Sequence, residues 1–130
     1  MVKPIHNSGK RKKAIAKATI SKGTGRVKIN NQLLENYGNE IARMKIKEPL
    51  ILANNPKDIN FKVTVKGGGW SSQADAVRLA ISRCLMDYNK NLKKVFLEYD
   101  RNLIVADTRW KETRKPNDSK ARAKRQKSYR

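Results

Sequence analysis

The run Ile59-Asn60-Phe61-Lys62-Val63-Thr64-Val65-Lys66 leads directly into Gly67-Gly68-Gly69-Trp70-Ser71-Ser72-Gln73-Ala74. Ile59, Phe61, Val63 and Val65 alternate with Asn60, Lys62, Thr64 and Lys66, the period of a strand with one apolar and one polar face. Three glycines end it. Beyond them Ala74, Val77, Ile81, Leu85 and Tyr88 recur at helical spacing, with Arg78, Ser82 and Asp87 off the stripe. Ser71 or Ser72 is the expected N-cap, with Gln73 and Asp75 in the first turn. A half-buried strand followed by a helix with a single apolar stripe predicts one sheet covered by helices on one side.

The flanks extend this pattern. Upstream, residues 13–20 alternate, with Ala14, Ala16, Ala18 and Ile20 on one face; the small Ala side chains leave room for a second element to pack close. Residues 21–25 read as a turn, and Val27 and Ile29 alternate again, so a hairpin with a five-residue loop is expected. Residues 40–53 show helical spacing at Ile41, Met44 and Glu48, interrupted by Pro49, which predicts two short helices or one kinked helix. Downstream, Leu92, Val95, Phe96 and Tyr99 fit a short helix, and residues 103–106 a short apolar strand. The expectation is an α/β fold of the two-layer α+β sandwich kind, with one mixed four-stranded sheet and helices on one face. Its other face would carry Lys13, Lys17, Lys28, Lys62 and Lys66.

The chain has 130 residues and a formal charge of +20. An excess of this size repels itself unless an anionic partner neutralises it. The charge is uneven. Residues 1–34 hold 9 Lys and Arg and no acid; residues 107–130 hold 10 against 3. Residues 107–130 contain no Leu, Ile, Val, Phe or Met. They have nothing to bury against the entropy of ordering. One domain is expected over 1–106, with a basic arm at 1–13 dispensable for folding, and an extended basic tail over 107–130 with a turn at residues 116–119. No apolar run is long enough for a membrane span or a secretory signal. One Cys excludes a disulfide framework, and Cys84 with His6 cannot build a zinc site. A reduced, cytosolic or nuclear setting is expected.

Catalysis finds little support. His6 has no acid beside it, Cys84 falls near the helix stripe, and Asp75, Asp87, Glu98 and Asp100 lack metal-ligand spacing, so neither metal nor cofactor is expected. The glycine triplet at a strand-to-helix junction could cradle a phosphate, or serve only as a tight turn; it matches neither G-x-G-x-x-G nor a P-loop. Trp70 could stack on a base or pack at the core edge. Trp110 and Tyr129 lie in basic sequence with no core nearby, the pattern of single-strand readers. Arg78 and Arg83 are too few to make the main helix a groove reader. Basic extensions on a small body suit a large folded RNA. A chromatin-type binder and a nucleotide-using enzyme remain as alternatives.

Residues 67–83, Gly-Gly-Gly-Trp-Ser-Ser-Gln-Ala-Asp-Ala-Val-Arg-Leu-Ala-Ile-Ser-Arg, resemble the signature of the universal small-subunit ribosomal protein S-nine family. Residues 9–16 resemble that family's opening strand, and residues 98–101 and 105–107 the approach to its tail. The ending Gln126-Lys127-Ser128-Tyr129-Arg130 is similar to the archaeal and eukaryotic branch, whose eukaryotic member is S-sixteen. Trp70, where this branch often has His, and Cys84 depart from the pattern. The resemblance implies a fold like the second domain of ribosomal protein S-five and a cytoplasmic place in the small-subunit head, beside neighbouring head proteins. It implies a partner, small-subunit ribosomal RNA. Lys10, Arg11, Lys12, Lys13, Lys66, Gly67, Gly68, Gly69, Arg109, Lys111, Arg114, Lys115, Lys120, Arg122, Lys124 and Arg125 are the expected RNA contacts. It further implies that Lys127, Ser128, Tyr129 and Arg130 approach the peptidyl-site tRNA.

Overall fold

The computed structural model describes residues 3–128. In chain order it forms β1 (Ile5–Arg11), β2 (Ala14–Lys22), β3 (Val27–Ile29), β4 (Gln32–Leu33), α1 (Glu40–Leu52), β5 (Ile59–Lys66), α2 (Trp70–Tyr88) and α3 (Leu92–Tyr99). Single 3-10 turns lie at Leu34–Asn36 and Arg101–Leu103. The sheet is mixed, in the order β1-β2-β5-β3-β4, with β3 parallel to β5 and the other neighbours antiparallel. The two-layer α+β architecture is as expected, but with five strands among the described residues rather than four.

β5 sits at the sheet centre with its larger apolar side chains inward: Ile59, Phe61, Val63 and Val65 are all buried. Each such side chain contributes about 1.5–3 kcal/mol when fully buried. β5 inserts between β2 and β3, so these two do not form the expected hairpin. Two asparagines hold the insertion. Asn60 Oδ1 accepts from the backbone N–H groups of Thr24 and Arg26, both at 2.9 Å. Asn30 donates to the Val65 carbonyl at 3.1 Å and accepts from the Val65 N–H at 2.9 Å, extending the β3–β5 ladder with a side chain.

Residues 5–11, expected within an arm, form a full strand paired along β2 from Ile5↔Ile20 to Arg11↔Ala14. Only Ile5 there is a large apolar residue, so alternation gives no signal. The strand is held instead by its ladder and by α2, which crosses close over Gly9. A Cβ on Gly9 would collide with the Ala76 carbonyl and the Ala80 N–H.

The expected strand at 103–106 is instead the 3-10 turn Arg101–Leu103, capped by Asp100 through Asn102 N–H at 2.9 Å. Leu103 alone in that run is fully buried; it anchors the turn rather than alternating along a sheet. Residues 40–52 form one helix running through Pro49, capped by Asn39. Its buried side is Ala42, Ile46, Pro49 and Leu50, so Ile41 and Met44 face solvent. α2 begins one residue before the expected caps. Gly69 is its N-cap, and Ser71 and Ser72 fall inside the first turn. Its buried band includes the expected Ala74, Val77, Ile81 and Leu85, and is wider, adding Ala76, Leu79, Ala80, Ser82 and Cys84. Ser82 avoids an unsatisfied hydroxyl by donating to the Arg78 carbonyl at 2.7 Å.

The sheet's outer face has no helix over it among the described residues. Lys17, Lys28, Lys62 and Lys66 point from it into solvent, with Lys10 beside them from β1. No helix among the described residues is long and apolar enough to cross a membrane.

Candidate nucleic-acid interface

Three segments distant in sequence meet at one end of the sheet: the β1–β2 turn, the glycine triplet and the start of the tail. The turn is Lys12-Lys13, with Lys12 at φ 54°. It places two ammonium groups outward while the strands on either side pair in register. Gly67 packs directly on it. Gly67 has φ 80°, and a Cβ there would run into the Lys13 carbonyl. Gly68, at φ 68°, lies over Ala14 and Ser72. Gly69 faces open space and caps α2 without a side-chain hydrogen bond, so the first N–H groups of α2 are available to an anion.

Gln73 fixes this loop from behind. Its Nε2 donates to the Gly67 carbonyl at 3.2 Å, and its N–H to the Gly69 carbonyl at 2.9 Å. The Tyr37 hydroxyl donates to Gln73 Oε1 at 3.4 Å. Burial pushes the Tyr37 hydroxyl above the usual tyrosine range, which keeps that donor protonated.

The tail enters past Arg11. The Arg11 guanidinium lies 3.3 Å from Asp107 and 4.0 Å from Asp75, with its side chain only 17% exposed. Lys45 closes on Asp75 at 3.3 Å. Arg109 grips Asp107 from the other side, through Nε at 3.0 Å and Nη2 at 2.7 Å. These hydrogen bonds, aided by the Arg109 backbone N–H, hold the Asp107 carboxyl down to about 2. Trp110 then lies with Lys10 Nζ 4.7 Å from its ring centroid, a cation–π contact. The result is a cleft of about 600 Å³ lined by Arg11, Lys12, Lys13, Gly68, Gly69, Ser72, Arg109, Trp110 and Lys111.

Further along, the tail makes a small loop of its own. Asn117, at φ 68°, makes the turn expected at 116–119, and the backbones of Asp118 and Lys124 pair as an isolated antiparallel bridge. Glu112 pairs with Arg122 at 2.8 Å and with Lys115 at 3.5 Å. Arg114 donates to the Asp118 carbonyl at 3.4 Å. Lys111, Lys120, Lys124, Arg125, Lys127 and Ser128 are exposed. No side chain of residues 107–128 is buried. Tyr129 and Arg130 lie outside the described residues.

The structure thus brings Lys10, Arg11, Lys12, Lys13, the glycine triplet, Arg109 and Lys111 together. Lys66 lies on the open sheet face, where with Lys13, Ile15, Lys17, Thr64 and Gly67 it borders a second basic hollow. Arg114, Lys115, Lys120, Arg122, Lys124 and Arg125 are strung along the tail away from the cleft. Trp70 starts α2 half exposed, and His6 bonds Thr19 on the outer face at 2.8 Å.

Several residues that assemble the site carry no signal readable in sequence. Arg78 joins three elements, meeting Glu48 at 2.6 Å and Asp100 at 3.2 Å. Arg83 donates to the Ile104 and Ser8 carbonyls at 3.0 and 2.9 Å, tying the approach to the tail onto β1. Both arginines of α2 are structural.

A family model described as ribosomal protein S9/S16 matches residues 9–130. A small ribosomal subunit protein uS9 from Methanothrix thermoacetophila is 47% identical over 99% of this chain and the whole of the relative. A protein of the same name from Methanococcus maripaludis is 45% identical, again over 99% of this chain and all of the relative.

Proposed function

The chain belongs to the ribosomal protein S9/S16 family, and we propose that it is a structural constituent of the small ribosomal subunit, bound to ribosomal RNA in the subunit head. The family is one of ribosomal proteins rather than enzymes. In this reading residues 1–106 are the body and 107–130 an extended tail that crosses RNA toward the peptidyl-site tRNA. Lys127, Ser128, Tyr129 and Arg130 make the tRNA contact, and neighbouring head proteins of the cytoplasmic ribosome complete the surroundings.

One observation carries the RNA reading. The cationic turn Lys12-Lys13, the uncapped N-terminus of α2 and the basic start of the tail converge on one cleft. Backbone N–H groups at a helix start and flanking ammonium groups are donors that phosphates take. The open sheet face adds Lys17, Lys28, Lys62 and Lys66 as a second electrostatic surface.

Sedimentation of cell extract tests the assignment. The chain is expected to travel with the small subunit through a sucrose gradient, and to stay there at moderate salt. A chain found at the top of the gradient, as a free nucleic-acid binder or a nucleotide-using enzyme would be, refutes it.

A further inference from the structure

We propose that the cleft between the β1–β2 turn and the tail is a seat for one unpaired nucleotide, its base stacked on Trp110 and its phosphate held at Gly68-Gly69. The inference rests on the RNA reading and sharpens it, from a general phosphate surface to a single-strand site.

Trp110 carries the argument. The tail has no core to bury it, and the residue is 55% exposed. It is nevertheless placed: the Arg11–Asp107–Arg109 cluster sets the chain just before it, and Lys10 Nζ covers one part of the ring. Lys10 does not line the cleft, whereas Trp110 does. The cleft therefore meets a part of the indole that the ammonium leaves free. A base offers a flat π-face to any exposed aromatic ring, whatever its sequence.

The opposite wall supplies what a nucleotide's phosphate needs. Gly69 has nothing within 4 Å of where a Cβ would stand, so a phosphate oxygen can approach the backbone there. The α2 N-terminus behind it has no side-chain cap. Lys12, Lys13 and Lys111 flank the opening. A duplex presents its phosphates outward and its bases stacked inside, so it could use the cations but not the ring. Stacked aromatic and cationic walls together therefore select an unpaired nucleotide over a duplex.

The test compares affinities of the full chain for a short single-stranded RNA and a fully paired RNA duplex at matched salt. Trp110→Leu is expected to weaken single-strand binding about five- to hundredfold, the range of one lost base–aromatic stack. Duplex binding should stay within about twofold, because phosphate contacts dominate it. Trp110→Phe, which keeps an aromatic face, should restore most of the loss. In a Trp70→Phe chain, where Trp110 is the one indole, single-stranded RNA should quench the fluorescence and duplex should not. Equal losses for strand and duplex, or no loss for either, overturn the seat while leaving RNA binding intact. Absence of binding to both RNAs by the unaltered chain overturns the RNA reading and the seat together.

Discussion

Arg11, at the end of β1, and Asp107, the first residue of the tail, meet at 3.3 Å on the rim of the basic cleft. Asp107 is shared with Arg109, and Arg11 with Asp75, so one carboxylate ties the tail to the sheet and another ties the sheet to α2. The cluster marks the point at which the tail leaves the body. Two arginines in a region of high positive charge are here used on carboxylates, and the neighbouring lysines are left for a partner.

Replacing Asp107 with Asn should free the start of the tail. Limited trypsin digestion at neutral pH is expected to cut after Arg109 and Lys111 faster in Asp107→Asn than in the unaltered chain, with the midpoint of unfolding little changed. The tether also has a pH window. The folded carboxyl is held to about 2, below its ordinary 3.8, so its contribution is complete above the ordinary value and fades as pH falls through about 2. An Asp107 titration followed by NMR that shows a midpoint near 4 would mean that Arg109 does not hold it.

β1 belongs to the body. Deleting residues 1–13 removes a strand paired along β2 and the surface on which α2 lies, and should abolish cooperative unfolding in denaturant. Gly9→Val tests the same packing with one residue. Its branched side chain meets the Ala76 carbonyl and the Ala80 N–H, so a loss of about 1–3 kcal/mol is expected, as for other overpacked contacts. An unchanged unfolding midpoint would show that α2 does not press on β1 there.

How much of this was legible in the sequence follows from where the signals are local. β5 and the main part of α2 announce themselves because alternating or helical apolar residues are a local pattern and burial follows it. α3 is a helix where the spacing puts one, but of its expected stripe only Phe96 is buried, and Val95 and Tyr99 are exposed. β1 does not. Its inward positions are Ile5, Asn7, Gly9 and Arg11, and what makes them a strand is the partner on each side. The β2–β5–β3 order was equally hidden, since nothing in residues 21–25 distinguishes a hairpin loop from a crossover clasped by Asn60. In α1 the apolar spacing was real but marked the exposed side, because Pro49, Ala42 and Ile46 fill the core instead. Of the site, Lys10 to Lys13, the glycine triplet and the basic tail could be named from composition and motif. That Arg11 to Lys13, Gly68, Gly69 and the start of the tail share one cleft depends on Asp107 and Arg83, whose charges look like any others along the chain.

Cys84 offers a probe of core integrity. It is fully buried with its thiol 3.5 Å from the Ala18 carbonyl, and burial pushes it up to about 11, against an opposing hydrogen bond with Asn7. The thiol is therefore neutral in the fold. The stability this contributes is complete below the ordinary value of 9.0 and is lost as pH rises through about 11. Alkylation of the native chain should be slow and should rise with pH only near 11. Denaturant should bring both rate and midpoint back to those of an ordinary thiol. Rapid alkylation of native protein at pH 8 would contradict the packing of α2 on β2.

RNA affinity should depend steeply on salt. If the cleft, the sheet face and the tail together neutralise 6–10 phosphates, affinity falls roughly 10³–10⁵-fold between about 50 and 200 mM salt on the duplex-DNA scale. Removing residues 107–130 should lower both the affinity and the slope while the body stays folded, since no side chain of residues 107–128 is buried. A slope unchanged by the deletion would assign the phosphate contacts to the body alone.

The end of the tail can be separated from its length. Deleting residues 127–130 leaves Lys10 to Lys13, the glycine triplet, the sheet face and the tail up to Gln126, so the shortened protein should occupy small subunits as before. The proposed tRNA contact loses two cations and, with Tyr129, one aromatic ring. A lost stack alone is worth about 1–3 kcal/mol, and each tenfold in affinity is about 1.4 kcal/mol. Peptidyl-site tRNA should therefore bind several-fold to about a hundredfold more weakly to subunits carrying the shortened chain. The measurement is tRNA affinity on purified small subunits at matched salt and matched protein occupancy. The remaining subunit contacts keep the tRNA bound, so the effect is on affinity and not on the existence of the complex. Equal affinities at equal occupancy would show that the last four residues do not reach the tRNA, and would leave the tail as an RNA-bound extension only.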